Sequence, residues 1–278
     1  MKAIERALAE AARRLGPVSD TARLDAELLL GCAFGIERDR LLLDPPAQAV
    51  PECFHELVGR RLAGEPVAYI TGRRAFWNIE LEVGPGALIP RPDSETLIQA
   101  AVEYFAKTDG PRRVLDLGTG PGTLLLAALD QWPRATGVGI DRSPEALAYA
   151  RANASRLGLA PRAHFRLGNW ADGIDERFDL ILCNPPYVAA HAELGLGVRE
   201  HEPAEALFAG DDGLDDYRRL APEIGRLLAP GGVATIEIGA DQSDSAAALF
   251  ANAKSTPSLA RDLAGRPRAL VIAGPKHK

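Results

Sequence analysis

Asn184, Pro185, Pro186 and Tyr187 close the apolar run LILC, and their chemistry is unusual for a strand end. Proline fixes φ and has no N–H to donate. Two in succession make a stiff segment of carbonyl acceptors with no donor beside them. Asn184 adds a side-chain carbonyl and Tyr187 a flat apolar wall. Such a cluster suits a planar NH2 group, with Asn184 Oδ1 and the Pro185 carbonyl each accepting one N–H. The lone pair of such a nitrogen is delocalised. Holding both N–H groups fixes its position and favours charge developing on it as it attacks an electrophile. No general base is needed first, because the proton can leave afterwards. Taken alone, NPPY also reads as an Asn-Pro turn.

A second constellation lies upstream. DLGTGPG (116–122) follows a buried strand and opens a helix. Gly118, Gly120 and Gly122 let the backbone turn tightly and approach a ligand, with Thr119 and Pro121 between them. Asp141 ends the next strand, where an acid can hold ribose hydroxyls. A strand-to-helix turn is the plain reading of the glycines, and the ordered Asp141 partner favours a nucleoside site over it. The spacing is G-x-G-x-G, not the dinucleotide G-x-G-x-x-G. Pro121 removes an N–H that would help to hold a pyrophosphate. That makes little sense for NAD and is tolerable for S-adenosylmethionine, which has no phosphate. GNW (168–170) follows the next strand. Asn169 could bond the adenine edge, and Trp170 either flanks the adenine or packs in the core.

Positioning these loops requires alternating strands and helices. RVLDLG (113–118), TGVGID (136–141), HFRLGN (164–169), FDLILC (178–183), VATIEIG (233–239) and PRALVIA (267–273) read as strands. Helical patterns lie at 123–132, at 143–158 with Ser143 as cap and Pro144 at the first position, near 213–229, and at 242–253. This predicts an α/β fold with a doubly wound, mostly parallel, Rossmann-like sheet over residues 93–278. FDLILC should run beside the glycine-loop strand, which puts Asn184 at the carboxyl edge, where ligands bind. Residues 1–75 read as an all-helical domain with helices at 3–15, 22–34 and 53–63. Ser19 and Asp20 are the expected caps of the second helix and Pro51 the start of the third. Residues 76–92 fall within an aromatic, Gly/Pro-punctuated stretch (65–92) that reads as a hairpin or linker.

The formal net charge of -6 opposes a broad phosphate-binding surface. Cys32, Cys53 and Cys183 are widely spaced, so neither a disulfide framework nor a metal site is expected. The N-terminal stretch lacks an apolar signal core, and no run approaches the roughly 20 apolar residues of a membrane span. A cytoplasmic monomer is the expectation. His164, His191 and His201 have no ligand spacing. Asp211, Asp212, Asp215 and Asp216 read as solvated charge at a helix start. Arg91 faces either a substrate protein or an ion pair with Asp93 or Glu95.

With these motifs in place, the chain resembles the release factor glutamine methyltransferases, the PrmC/HemK family. DLGTGPG, NPPY, GEPVAYITG, LIPRPDSE (88–95), EPAEALFAGDDGLDDYR (202–218), GGVATIEIG (231–239) and RDLAGRPR (261–268) carry the resemblance over essentially the whole chain. It implies methyl transfer from S-adenosylmethionine to the side-chain amide nitrogen of the glutamine in the Gly-Gly-Gln loop of class-1 peptide chain release factors. It also implies that Gly118 to Gly122 and Asp141 hold the cofactor, with Trp170 beside the adenine. Asn184 to Tyr187 would hold the glutamine. A lone glutamine offers too little surface for protein-level specificity, so the helical domain is expected to recognise the partner, the alternative being that it only covers an apolar face of the sheet domain. NPPY is shared with adenine-amine methyltransferases acting on DNA or RNA. Such enzymes must grip phosphates, which the acidic charge opposes. A non-catalytic S-adenosylmethionine-binding protein is the other alternative, and the intact NPPY opposes it.

Overall fold

The computed structural model describes residues 2–195, 197–251 and 256–275. The chain divides into two compact units, residues 1–73 with 194–202, and residues 74–193 with 203–278. The expected helical domain ended at residue 75. Here the division falls at Arg73, and a segment from beyond NPPY joins the helices.

The first unit contains α1 (Lys2–Leu15), α2 (Ala22–Phe34), α3 (Arg38–Leu43), α4 (Cys53–Leu62) and α5 (Val67–Thr71). Ile4, Leu8, Ala11 and Leu15 form one stripe of α1 and share an apolar cluster with Leu29, Leu30, Phe54 and Val58. Helices α3 and α5, six and five residues long, are too short for a periodic pattern to betray. Two caps differ from expectation. Thr21, not Ser19 or Asp20, is the N-cap of α2, and no side chain caps it. Ser19 Oγ instead donates to Asp25 Oδ2 at 2.8 Å. Asp25 is buried and takes donors from Ser19, Thr21 and Arg61, a demand that outweighs capping. Pro51 lies before the Glu52 cap of α4, its carbonyl accepting Phe54 N–H.

The hairpin of β1 (Arg73–Phe76), whose first residue is the last of the helical unit, and β2 (Ile79–Glu82) opens the second unit, and α6 (Glu95–Phe105) follows. Then come β3 (Arg113–Leu117), α7 (Thr123–Gln131), β4 (Thr136–Asp141), α8 (Pro144–Arg156), β5 (Ala163–Leu167) and β6 (Phe178–Cys183). After α9 (Val198–His201), which belongs to the helical unit, α10 (Asp215–Leu227), β7 (Leu228–Glu237), α11 (Ser243–Phe250), β8 (Ser258–Arg261) and β9 (Pro267–Ala273) complete it.

The seven-stranded sheet has the order β5-β4-β3-β6-β7-β9-β8. It is parallel from β5 to β7 and antiparallel at β9 and β8. The expected helix-covered parallel sheet is present, with β6 directly beside β3. Strand β8, which sequence reasoning missed, pairs with β9 at the edge. The helix expected at 242–253 is seen as α11, its last two positions lying outside the described residues. On one face Tyr217, Leu220, Ile224 and Phe250 of α10 and α11 pack against Leu115, Leu117, Ile181 and Ile236. Helix α7 packs against β3 and β4. Among the described residues no helix is long and apolar enough to cross a membrane.

Candidate active site

The loops after β3, β4, β5 and β6 converge at the carboxyl edge of the parallel strands, where strand order reverses between β3 and β6. They line a cavity of about 320 Å³, within the roughly 300–1,000 Å³ of small-molecule sites. The glycine-loop residues Gly118, Thr119, Gly120 and Pro121, with Asp141, Trp170, Asn184 and Pro186, all border it. Gly122, Pro185 and Tyr187 do not.

The glycine loop is fixed by its own backbone and by two acids. Gly118 N and Thr119 N both donate to Ile140 O at 2.9 Å, tying β3 to β4. Gly122 caps α7 with φ 88°. A Cβ there would come 2.8 Å from Leu126 Cδ1, so this glycine serves close packing under the loop. At Gly118, with φ 71°, a Cβ would meet the Trp170 ring at 3.2 Å. The absence of a side chain is what lets that ring close over the loop. The Pro121 carbonyl accepts from Asn153 Nδ2 at 3.0 Å. That amide, fully buried in α8, also exchanges two hydrogen bonds with Glu82 of the hairpin.

Asp141 has a double task. Its Oδ2 accepts Gly120 N–H at 2.8 Å and its Oδ1 accepts Ser143 N–H at 2.9 Å. Each oxygen keeps a further lone pair for a ligand hydroxyl. Ser143 caps α8 as expected, accepting from Ala146 N. Trp170 adopts φ 51°, a costly conformation for a bulky residue, and strain of this sort gathers at ligand sites. Its Nε1 donates to Asp216 Oδ1 at 3.2 Å, and burial pushes the Asp216 carboxyl up. Of the acidic group, Asp216 thus serves the site, while Asp212 and Asp215 pair with Arg218.

The acceptor motif emerges where expected. Asn184 Nδ2 donates to Ser94 Oγ at 3.2 Å, which leaves Oδ1 as its free acceptor. The Tyr187 hydroxyl donates to Glu237 Oε1 at 3.2 Å, and burial holds the phenol well above its usual range. Gln242 Nε2 donates to the Tyr187 carbonyl at 3.0 Å. The segment containing Leu88, Ile89, Pro90 and Arg91 forms an opposite wall of the cavity. Asp93 is paired with Arg268 at 3.0 Å, and Glu95 accepts Trp77 N–H.

Sequence reasoning overlooked two buried acids and a serine. Asp116, fully buried on β3, accepts from Thr119 Oγ1 at 2.6 Å and Leu125 N at 3.1 Å through Oδ2, while Oδ1 has no partner. Burial pushes its carboxyl up to about 7. Glu237, at the end of β7, is likewise pushed up to about 7 by burial. The available signal was an acid inside an otherwise apolar central strand, in VLDL and in TIEI. Ser94 is identified only by what it touches.

Residues 109–267 match the family model described as "Methyltransferase domain", and residues 6–72 match that described as "PrmC N-terminal domain". Two solved structures share the fold. A methyltransferase from Pyrococcus furiosus is 17% identical, with a TM-score of 0.54, over 78% of this chain and 97% of that one. A ribosomal protein L11 methylase from Lactobacillus delbrueckii subsp. bulgaricus is 22% identical, with a TM-score of 0.51, over 71% and 86%. Fold, glycine loop and matched domain together define a methyltransferase. A release factor glutamine methyltransferase of Caulobacter vibrioides is 42% identical, over 93% of this chain and 91% of its own. One of Moorella thermoacetica is 38% identical, over 95% and 96%. The chain belongs to the release factor glutamine methyltransferase family.

Proposed function

We propose that this protein transfers a methyl group from S-adenosylmethionine to the side-chain amide nitrogen of the Gly-Gly-Gln glutamine of class-1 peptide chain release factors. The observation that carries the reading is one cavity bordered by both the glycine loop with Asp141 and the acceptor residue Asn184. The relatives' names supply the substrate class.

The residues present fit a phosphate-free nucleoside. Asp141 offers acceptors for ribose hydroxyls, Trp170 a flat ring, and Leu88 and Ile89 apolar surface. Of the two arginines at the cavity, Arg142 is engaged with Glu205. Among the described residues no cluster of cations lines the cavity. The sulfonium of S-adenosylmethionine supplies the electrophilic methyl group. The chain's part is to hold the acceptor. Asn184 Oδ1 and the Pro185 carbonyl take the two amide N–H bonds, and Tyr187 walls the planar group. The amide nitrogen then forms its bond to carbon as the S–C bond breaks, and afterwards loses a proton to water. Acceptors aimed at the N–H bonds favour the positive charge that builds there.

The helical unit is read as the partner-recognition element. Leu24, Leu42 and Leu43 on its helices are 40%, 41% and 86% exposed, apolar surface of the kind interfaces use. A monomer working in the cytoplasm, where release factors act, without direct nucleic-acid contact, completes the reading.

The test is mass spectrometry of the release-factor glutamine after incubation with the protein and methyl donor, beside DNA and RNA controls. A gain of one methyl on that glutamine is expected. Asn184→Ala should cut the rate by about 10²–10³, as losing one preorganised group does, with donor binding retained. Methylation of adenine alone, or a parental rate in the variant, sinks the reading.

A further inference from the structure

Trp170 has φ 51°, in the left-handed region that bulky residues rarely enter. Such a backbone persists only where its surroundings over-determine it. Here a turn closes across the residue, Asp172 N donating to Asn169 O at 3.1 Å. One edge of the ring, Cζ3 and Cη2, lies over Gly118, where a Cβ would come 3.2 Å and 3.5 Å from them. The other edge carries the indole N–H, which donates to Asp216 Oδ1 at 3.2 Å. Held at both edges, the ring borders the cavity and packs against the apolar cluster that α10 and α11 share with the sheet.

We propose that Asp216 is a positioning residue: by accepting the indole N–H, it latches the Trp170 ring in place as a wall of the methyl-donor cavity. The proposal rests on the methyl-transfer reading above. An indole N–H can only donate and a carboxylate can only accept, so the bond has one polarity. Turning the ring over would carry Nε1 away from Asp216 and leave both groups without that partner. Asp216 is suited to the task because no cation claims it closely. Arg219, with its side chain 60% exposed, comes only to 4.0 Å, and exposed pairs at that range contribute little. Asp212 and Asp215, by contrast, are taken by Arg218.

The latch has a fixed base. Tyr217, the next residue of α10, is fully buried, and its hydroxyl donates to Glu237 O at 3.1 Å. Gln242 Nε2 donates to the Tyr187 carbonyl at 3.0 Å and to Gly213 O at 3.4 Å. The start of α10 is thus pinned to the acceptor motif, and Asp216 carries that rigidity across to the donor wall. Without the bond, the strained ring is free to leave its place. The donor then meets a complete wall in only a fraction of molecules, and its apparent Kd rises by the inverse of that fraction.

The experiment compares the full-length parent with Asp216→Ala, Asp216→Asn, Trp170→Phe and the double variant Asp216→Ala/Trp170→Phe. Calorimetry gives the Kd of S-adenosylmethionine. NMR of the ¹⁵N-labelled proteins without ligand follows the indole N–H signals. That of Trp170 is identified by its loss in Trp170→Phe. That of Trp77, whose Nε1 donates to Gln131 Oε1 at 3.1 Å, is the internal control. Asp216→Ala should raise Kd about tenfold, as when about a tenth of the molecules keep the ring in place. It should also speed solvent exchange of the Trp170 signal while that of Trp77 stays put. Asp216→Asn still presents an acceptor oxygen and should recover most of the affinity and the slow exchange. In Trp170→Phe, which has no N–H to hold, Asp216→Ala should change Kd little further. A parental Kd or an unmoved Trp170 signal in Asp216→Ala, no recovery in Asp216→Asn, or a full tenfold loss on top of Trp170→Phe would each overturn the proposal. Should Asp216→Ala fail to fold, Asp216→Leu, close in shape but without an acceptor, decides by the same criteria. If the parent binds no S-adenosylmethionine, the methyl-donor reading fails, and the indole signals decide the latch by themselves.

Discussion

At the scale of single residues, Asp141 shows how little of a side chain is spare in this site. Its two oxygens already hold Gly120 and Ser143. Asp141→Ala therefore removes the anchor of the glycine loop as well as the proposed acceptors for ribose. Hydrogen bonds to a charged group are worth about 1.5–3 kcal/mol each, so donor affinity should fall by roughly one to two powers of ten. Calorimetry on the folded variant checks this, and an unchanged Kd removes Asp141 from the site. The acid was legible because it ends a strand after a glycine loop. Its work inside the loop was not, because backbone N–H partners leave no mark in the sequence. The same holds for Ser94, which meets Asn184 only because the hairpin and α6 carry the IPRPDSE segment past the end of β6.

At the scale of elements, strands β3 and β7 each carry one buried acid near the carboxyl edge, and both are raised to about 7. The folded chain thus keeps protons that the unfolded chain releases above pH ~4. Native protein binds more protons than unfolded protein in that window, so these two acids lower stability as the pH climbs through about 7. Asp116→Asn should flatten that decline, since its carbonyl can still accept from Thr119 and Leu125. Thermal melts near pH 5 and pH 8 would show a smaller drop in the variant, on the order of 1–3 kcal/mol after conversion. An unchanged drop refutes the assignment. The strands themselves were legible from their apolar runs, and TGVGID, FDLILC and PRALVIA coincide with β4, β6 and β9. Strand β8, SLAR, was not, because its edge position leaves Ser258, Leu259 and Arg261 exposed and no apolar pattern remains to read.

At the scale of the whole molecule, the proposed division of labour can be tested on one exposed side chain. Leu43→Asp changes a surface position and should leave stability and donor affinity intact. If the helical unit recognises the release factor, KM for that protein should rise several-fold at constant kcat, because interface cores tolerate a buried charge poorly. Steady-state kinetics on intact release factor decide it, and an unmoved KM excludes Leu43 from the docking surface. The longer helices α1, α2 and α4 were legible from period alone, but the membership of residues 194–202 was not, since they follow NPPY in the chain and carry no helical pattern long enough to assign. That segment has a consequence for heredity. The chain leaves the sheet unit after the acceptor motif, completes the helical unit, and returns to lay Pro203, Glu205 and Ala206 on the cavity wall. Recombination that grafts the first 73 residues onto another methyltransferase would deliver an incomplete helical unit. A lineage can exchange these two units only by inheriting both crossings together, so they should travel through evolution as a single cassette.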